Sequence, residues 1–130
     1  MAKARRSLAG QVVAITGGAR GIGRATAAAL IAQGARVAIG DIEAALAQRT
    51  ASELGAGTAG LPLDVTDRDS FAAFLDEVES RLGPLDVLVN NAGIMPIGPF
   101  PEETDATAER MVDINLRGVL LGSKLALARF

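Results

Sequence analysis

The stretch Ile15-Thr16-Gly17-Gly18-Ala19-Arg20-Gly21-Ile22-Gly23 separates a continuous apolar run from a helix-like run. A turn that approaches phosphate closely needs residues without a Cβ, because positive φ is then cheap, the ligand reaches the backbone, and the next helix packs tightly on its strand. Gly17, Gly21 and Gly23 are spaced to meet these needs. The free N–H groups and the dipole at the start of the following helix favour an anion, typically the pyrophosphate of a dinucleotide.

Apolar runs alternate with helical periodicity on both sides of this turn. Strands are predicted over residues 11–16, 35–40, 58–63 and 85–89. Helices are predicted over 22–33, from 42, from a cap within 66–69 up to the break at Gly83-Pro84, and from about 104 to the end. This order predicts an α/β fold: a doubly wound parallel sheet with strand order 3-2-1-4, incomplete, with helices on both faces.

Helical periodicity supports three of these helices. In the first, Ile22, Ala25, Ala29 and Ala32 lie on one face, and in the second Ile42, Leu46, Thr50 and Leu54 are four residues apart. The clearest apolar stripe of period 3.6 is in the third: Phe71, Phe74, Leu75, Val78 and Leu82.

Asp41 ends the second predicted strand, eighteen residues after Gly23. In a dinucleotide-binding unit an acidic residue at this place accepts hydrogen bonds from the ribose. The same position also permits Asp41 to cap the helix that begins at Ile42. The two roles are compatible, and the context favours the ribose role.

Arg20 bears on the choice of cofactor. Its side chain is placed either to meet a 2'-phosphate or to lie in solvent, whereas Asp41 would repel that phosphate. A pair of unit charges 4 Å apart near a protein surface interacts by about 4 kcal/mol before screening. The sequence therefore favours NAD over NADP.

Other polar residues follow the remaining strands. Asp64 is placed either to accept from the adenine amino group, beside the apolar Val65, or to lead into the next helix. Asn90 and Asn91 are candidates to bond backbone across the strand ends. Asn115, a poor helix former inside the last helix, either lies on the solvent face or uses its amide for a specific contact.

Composition bounds the class of protein. The 130 residues suit one domain, 1–130, with a short basic tail over 1–10 that contains Lys3, Arg5 and Arg6. The net charge of -2 and the 49% apolar content argue against disorder and against a nucleic-acid surface, and no apolar run suits a signal core or membrane span. Cysteine and histidine are absent, so we expect no metal site, and we interpret the protein as cytoplasmic.

Residues 16–23 together with Asn90-Asn91-Ala92-Gly93 resemble the short-chain dehydrogenase/reductase superfamily of classical type, over essentially the whole chain. The resemblance implies a Rossmann fold, hydride transfer between NAD(P) and an alcohol or ketone, and usually a homo-oligomer. It assigns dinucleotide contacts to Gly17, Arg20, Gly21, Ile22, Gly23, Asp41, Asp64, Val65, Asn91, Ala92 and Gly93. It also matches Asn115 to a helix asparagine that supports a proton relay.

The chain departs from that family in its catalytic residues. There is no tyrosine, and Lys124 has Leu120 four residues before it, so no Tyr-x-x-x-Lys pair is present. The family's catalytic serine is also not matched, because none of the serines follows a fifth strand: Ser7, Ser52, Ser70, Ser80 and Ser123. Because carbonyl reduction needs a positioned proton donor, we expect residues 1–130 to lack turnover by themselves. We also expect the chain to be the amino-terminal half of a longer protein, whose fourth strand is left with an unpaired apolar edge.

Three functions compete. The first is the amino-terminal half of an NAD-dependent oxidoreductase of this type, and the second is a non-catalytic nucleotide-binding or redox-sensing module. The third, an interaction protein, depends on Gly118 and Gly122, whose spacing permits close approach of another helix. The substrate is not indicated by the sequence.

Overall fold

The computed structural model describes residues 6–55 and 57–130. Of the predicted basic tail, Lys3 and Arg5 lie outside the described residues. Four strands form one parallel sheet: β1 (Val12–Thr16), β2 (Arg36–Asp41), β3 (Ala59–Pro62) and β4 (Val87–Val89). Their order is β3-β2-β1-β4, as predicted.

Five α-helices connect or follow the strands: α1 (Gly21–Ile31), α2 (Ala44–Leu54), α3 (Arg68–Leu82), α4 (Asp105–Met111) and α5 (Gly118–Leu127). A short 3-10 turn precedes α4, and a π-helical segment, Val112–Arg117, joins α4 to α5. The single last helix that the sequence predicts is therefore one helical run with a wider turn in its middle.

The sheet is covered on both faces because alternate β1 side chains point in opposite directions. Val12 and Ala14 face the cluster that includes α3 and α5, whereas Val13 and Ile15 face the cluster that includes α1 and α2. All of these β1 side chains are buried, as expected for a strand with helices on both sides.

The helix faces test the predicted periodicity. All five predicted apolar residues of α3 are buried, and the Asp67 side chain caps this helix by accepting from the Ser70 N–H at 2.8 Å. In α1 the four residues that the sequence places on one face, Ile22, Ala25, Ala29 and Ala32, are exposed, and the buried residues are Gly23 and Ala27. Alanine occupies four of the eleven positions of α1, on more than one side of the helix, so hydrophobicity alone does not define its packed face.

α2 begins at Ala44, two residues later than predicted, and Ile42 lies exposed before the helix. The buried residues of α2 are Ala47, Thr50 and Ala51.

β4 is shorter than predicted, beginning at Val87 rather than residue 85. The Leu85 N–H donates to the Glu79 side chain of α3, and the Asp86 carboxylate accepts from the Val12 N–H. Within the described residues β4 pairs with β1 alone and is half-buried, so it forms one edge of the sheet.

Gly118 and Gly122 of α5 allow close packing within this fold. A Cβ at Gly118 would lie 3.0 Å from a Val65 methyl, and one at Gly122 would enter the Phe71 ring of α3. No helix among the described residues is long and apolar enough to cross a bilayer.

Candidate functional site

An open cleft of about 770 Å³ lies along the carboxyl ends of the strands. In open parallel α/β sheets this edge is where ligands bind, at the point where the strand order reverses. Here the reversal lies between β1 and β4. The cleft wall consists of Gly17, Arg20, Ile22, Asp41, Ile42, Leu63, Asp64, Val65, Thr66, Asn91, Ala92, Gly93, Ile94, Arg110, Asp113 and Ile114.

The glycine turn connects β1 to α1, as the sequence predicts. Gly21 has φ +57°, and a Cβ built on it would have no heavy atom within 4 Å, so this side of the turn is open. At Gly23 a Cβ would overlap the Gly17 carbonyl oxygen and lie 2.6 Å from the Asn91 amide nitrogen. Gly21 therefore leaves room for a ligand, while Gly23 permits tight packing of α1 on the turn.

The start of α1 is suited to bind an anion. Its N-cap residue, Arg20, makes no side-chain capping bond, and its first turn contains no acidic residue. By contrast, α3 and α4 begin with capping side chains, those of Asp67 and Thr104. The first-turn N–H groups of α1 are therefore placed to bind an external negative charge.

Ala19, at the centre of the turn, is held on both sides of its peptide. Its N–H donates to Asp41 Oδ2 at 3.3 Å, and its carbonyl accepts from the Thr50 hydroxyl at 2.7 Å. Both partners are buried polar residues, one at the end of β2 and the other in α2. The turn is thus fixed by the two elements that follow it.

Asp41 also accepts a hydrogen bond through Oδ1, from the Glu43 N–H at 3.1 Å. The Glu43 carboxylate in turn forms an ion pair with the Arg20 guanidinium. Each Asp41 oxygen has one backbone donor and keeps a second lone pair for another hydrogen bond. The N-cap residue of α2 is Glu43, two residues after Asp41, so Asp41 supports that helix start from outside the cap position that the sequence permits.

Thr16 and Asn91 tie β1 to the segment after β4. The Thr16 hydroxyl accepts from the N–H groups of Asn91 at 3.0 Å and Ala92 at 2.9 Å. The Asn91 amide donates to the carbonyls of Thr16 at 3.0 Å and Gly17 at 3.1 Å. The expectation of backbone bonding across the strand ends is confirmed for Asn91, whereas the Asn90 amide donates to the Ser123 hydroxyl at 3.3 Å.

Asp64 has a local role and an open oxygen. Its Oδ1 accepts from both the N–H and the hydroxyl of Thr66, which is the loop role that the sequence permits. Its Oδ2 makes no hydrogen bond with the described part of the chain. Asp64 and the buried Val65 both line the cleft, so a contact with a bound base is also compatible with their placement.

Asn115 lies in the π-helical segment and uses both the oxygen and the nitrogen of its amide. Its Oδ1 accepts from the Ile94 N–H at 2.8 Å, and its Nδ2 donates to the Ile94 carbonyl at 2.7 Å. Of the two alternatives for Asn115, the structure shows the specific contact. This pair holds the segment after Gly93 against the last helical run.

The cleft gathers most of the predicted cofactor residues. Gly21 and Gly23 are in the turn but not in the wall, and Asn115 lies behind Ile94. Sequence reasoning missed Ile42, Leu63, Thr66, Ile94, Arg110, Asp113 and Ile114. Most of these adjoin predicted residues, but Arg110, Asp113 and Ile114 come from the last helical run, whose docking no local pattern specifies. In the described ranges, no group of three potential metal-ligating side chains is present.

Comparisons with known proteins agree with this geometry. A family model described as short chain dehydrogenase matches residues 11–130. A sorbitol dehydrogenase of Cereibacter sphaeroides is 44% identical over 113 residues, covering 87% of this chain and 44% of that protein. A galactitol 2-dehydrogenase of Agrobacterium fabrum is 41% identical over 114 residues, covering 88% of this chain and 44% of that protein.

The chain also resembles solved structures. The crystal structure of a 3-ketoacyl-(acyl-carrier-protein) reductase from Brucella melitensis complexed with NADH matches with a TM-score of 0.90 and 33% identity. The match covers 95% of this chain and 52% of that chain. The chain thus spans about half the length of the relatives it matches.

Proposed function

Because the chain belongs to the short chain dehydrogenase family, we propose that it forms the dinucleotide-binding part of an oxidoreductase that transfers a hydride between NAD(H) and an alcohol or ketone. The observation that carries this proposal is the uncapped start of α1 beside the open face of Gly21, with the Asp41 carboxylate held at the same edge of the sheet. When bound, the nicotinamide ring donates or accepts the hydride.

Each part of the cleft has a proposed role toward the dinucleotide. The first-turn N–H groups of α1, beside Arg20 and Ile22, bind the pyrophosphate. Asp41 accepts from the adenosine ribose, Asp64 and Val65 contact the adenine, and Asn91, Ala92 and Gly93 form the opposite wall. Gly17, Gly21 and Gly23 shape the turn that makes this approach sterically accessible.

We propose NAD rather than NADP as the cofactor. Asp41 is 8% exposed and is held by the N–H groups of Ala19 and Glu43, so its carboxylate is fixed in place. A 2'-phosphate carries close to two negative charges and would have to lie beside this carboxylate. At an effective dielectric constant near 20, the repulsion at 4 Å is about 4 kcal/mol per unit charge before screening.

For Asn115 we propose a positioning role in support of proton transfer. Its amide is already occupied by both backbone groups of Ile94, so the side chain orients the segment next to Gly93 rather than transferring a proton itself. We assign the role of proton donor in carbonyl reduction to no residue of 1–130.

The second candidate function is a module that binds the dinucleotide without chemistry. The titratable side chains in the wall of the cleft are Arg20, Asp41, Asp64, Arg110 and Asp113. None is the type of donor that the family uses for carbonyl reduction, since residues 1–130 contain no tyrosine. We therefore propose that these residues bind cofactor without hydride transfer when they act alone.

Two predictions about the whole protein extend this proposal. The exposed apolar side chains Val112, Leu116, Leu120 and Leu127 on the last helical run support a homo-oligomer. A cytoplasmic location follows from the composition alone and stays a prediction.

Calorimetric titration with NAD+, NADP+ and ADP-ribose tests the proposal. ADP-ribose carries the pyrophosphate and the ribose without nicotinamide, so it should compete with NAD+ for one site. A folded protein that binds neither dinucleotide would contradict the proposed function. Carbonyl reduction by the full-length protein, monitored as NADH oxidation, then separates the enzyme from the binding module.

A further inference from the structure

The ion pair between Arg20 and Glu43 joins the glycine turn to the start of α2 at the rim of the cleft. Arg20 lines the cleft and immediately precedes Gly21, whereas Glu43 lies two residues after Asp41. Both side chains are largely exposed, at 64% and 54%. The pair therefore contributes little to the free energy of folding, so stability does not explain why it lies beside the cleft.

The backbone of Glu43 is held in register with this site. Its N–H donates to Asp41 Oδ1, so the residue that presents the Glu43 carboxylate is fixed to the residue proposed to bind the ribose. Asp41 in turn holds the Ala19 N–H, next to Arg20. The two loops thus form a closed set of contacts in which Glu43 is placed opposite the guanidinium.

A guanidinium binds carboxylate and phosphate through the same N–H donors. While Arg20 is paired with Glu43, its positive charge is compensated, and the nitrogen in contact with the carboxylate is not free to meet a 2'-phosphate beside Asp41. The charge of Arg20, the residue that would favour NADP, is therefore neutralised by Glu43.

We infer that Glu43 is a specificity-determining residue that excludes NADP by holding Arg20 in an ion pair. The inference rests on the proposed function, because it assumes that the cleft binds a nicotinamide dinucleotide through Asp41. Glu43 belongs neither to the glycine turn nor to the residues proposed to contact the dinucleotide. Discrimination between the two cofactors then depends on two acidic residues. Asp41 repels the 2'-phosphate directly, and Glu43 keeps Arg20 from binding it.

The variant Glu43→Gln keeps the shape of the side chain and removes its charge. We expect it to tighten NADP+ binding about tenfold, equivalent to about 1.4 kcal/mol, while NAD+ affinity changes less than about twofold by the same scale. The measurement is calorimetric titration of the intact protein at low salt, where charge effects are least screened.

Glu53→Gln is the matched control. Glu53 of α2 pairs with Arg24 of α1 at 2.8 Å, and these side chains are 49% and 46% exposed. This pair also bridges α1 and α2, but neither residue lines the cleft. Glu53→Gln should leave both cofactor affinities unchanged.

A double-mutant cycle identifies the mechanism. The gain in NADP+ affinity should disappear in Arg20→Gln/Glu43→Gln and persist in Arg110→Gln/Glu43→Gln, since Arg110 is the other arginine of the cleft wall. A gain that survives without Arg20 would overturn the inference, because Glu43 would then act by repulsion alone. Wild-type protein that binds NAD+, with no change in NADP+ affinity in Glu43→Gln, would overturn only the inference; wild-type protein that binds neither dinucleotide would remove the proposed function as well.

Discussion

Asn115 and Ile94 exchange two hydrogen bonds across the fold: Asn115 Oδ1 accepts from the Ile94 N–H at 2.8 Å, and Asn115 Nδ2 donates to the Ile94 carbonyl at 2.7 Å. The side chain of a helix residue thus replaces a neighbouring strand for one residue of the segment after β4. It does so from the π-helical segment, the one place where the last helical run departs from α-geometry. π-helical turns often occur at functional sites.

Asn115→Leu should lower the free energy of unfolding by about 1–2 kcal/mol, because it removes both hydrogen bonds at a partly exposed site. Ser123→Ala, on the same helical run, removes one longer bond of 3.3 Å and should cost less than half as much. Urea denaturation measures both. Equal losses of unfolding free energy in the two variants would show that the two hydrogen bonds to Ile94 stabilise the fold no more than the single bond to Ser123.

Thr16 gives a second stability prediction. Its hydroxyl is buried and accepts from two backbone N–H groups, those of Asn91 and Ala92. Thr16→Val keeps the shape but leaves both donors without a partner, so we expect a loss of about 2–4 kcal/mol. Thr16→Ser keeps the acceptor and removes one methyl group, and it should cost about 1 kcal/mol. Thermal or urea unfolding that ranks Ser below Val in stability would contradict this reading of the hydroxyl.

The sequence predicts the fold well because its signals are local. Each strand is a short apolar run, and α3 repeats large apolar residues every three or four positions, so the pattern alone identifies its packed face. The pattern predicts the helix α1 but does not identify its packed face, because alanine occupies both sides of the helix. There the packed face is chosen by Gly23 and Ala27, the positions small enough to approach the turn and the sheet.

The site is predicted less completely because its partners are distant in sequence. Gly17, Asp41 and Asn91 are identified from strand ends and glycine spacing. The hydrogen bond from Thr50 to Ala19 and the ion pair between Glu43 and Arg20 depend on how α2 docks, which no local pattern fixes. Sequence reasoning therefore finds the residues that face the cleft more readily than those that hold them in place.

Asp41→Asn should affect both stability and cofactor choice. One of the two backbone N–H groups that Asp41 now accepts would face an amide nitrogen, so we expect a loss of about 1–3 kcal/mol. Without the carboxylate charge, the preference for NAD+ over NADP+ should narrow about tenfold or more. Asp69→Asn, in the first turn of α3 and away from the cleft, makes the same change in net charge and should leave the cofactor preference unchanged. It should cost only about 0.3–1 kcal/mol of stability, through the lost interaction with the helix dipole. A preference that stays constant in Asp41→Asn would exclude Asp41 as the discriminating residue.

Gly21 and Gly10 separate backbone strain from ligand contact. Both have positive φ, +57° and +77°, and a Cβ on either would meet no heavy atom within 4 Å. Alanine at each position should therefore cost a similar amount of stability, about 1–2 kcal/mol, because an L-residue is strained in that conformation. Only Gly21 lies where the turn enters α1, so Gly21→Ala should also weaken NAD+ binding about tenfold or more by obstructing the pyrophosphate. Titrating both variants with NAD+, after unfolding has shown equal stability losses, isolates the steric effect of one methyl group. If the two variants lose affinity equally, strain rather than contact explains the effect, and the pyrophosphate does not lie against Gly21.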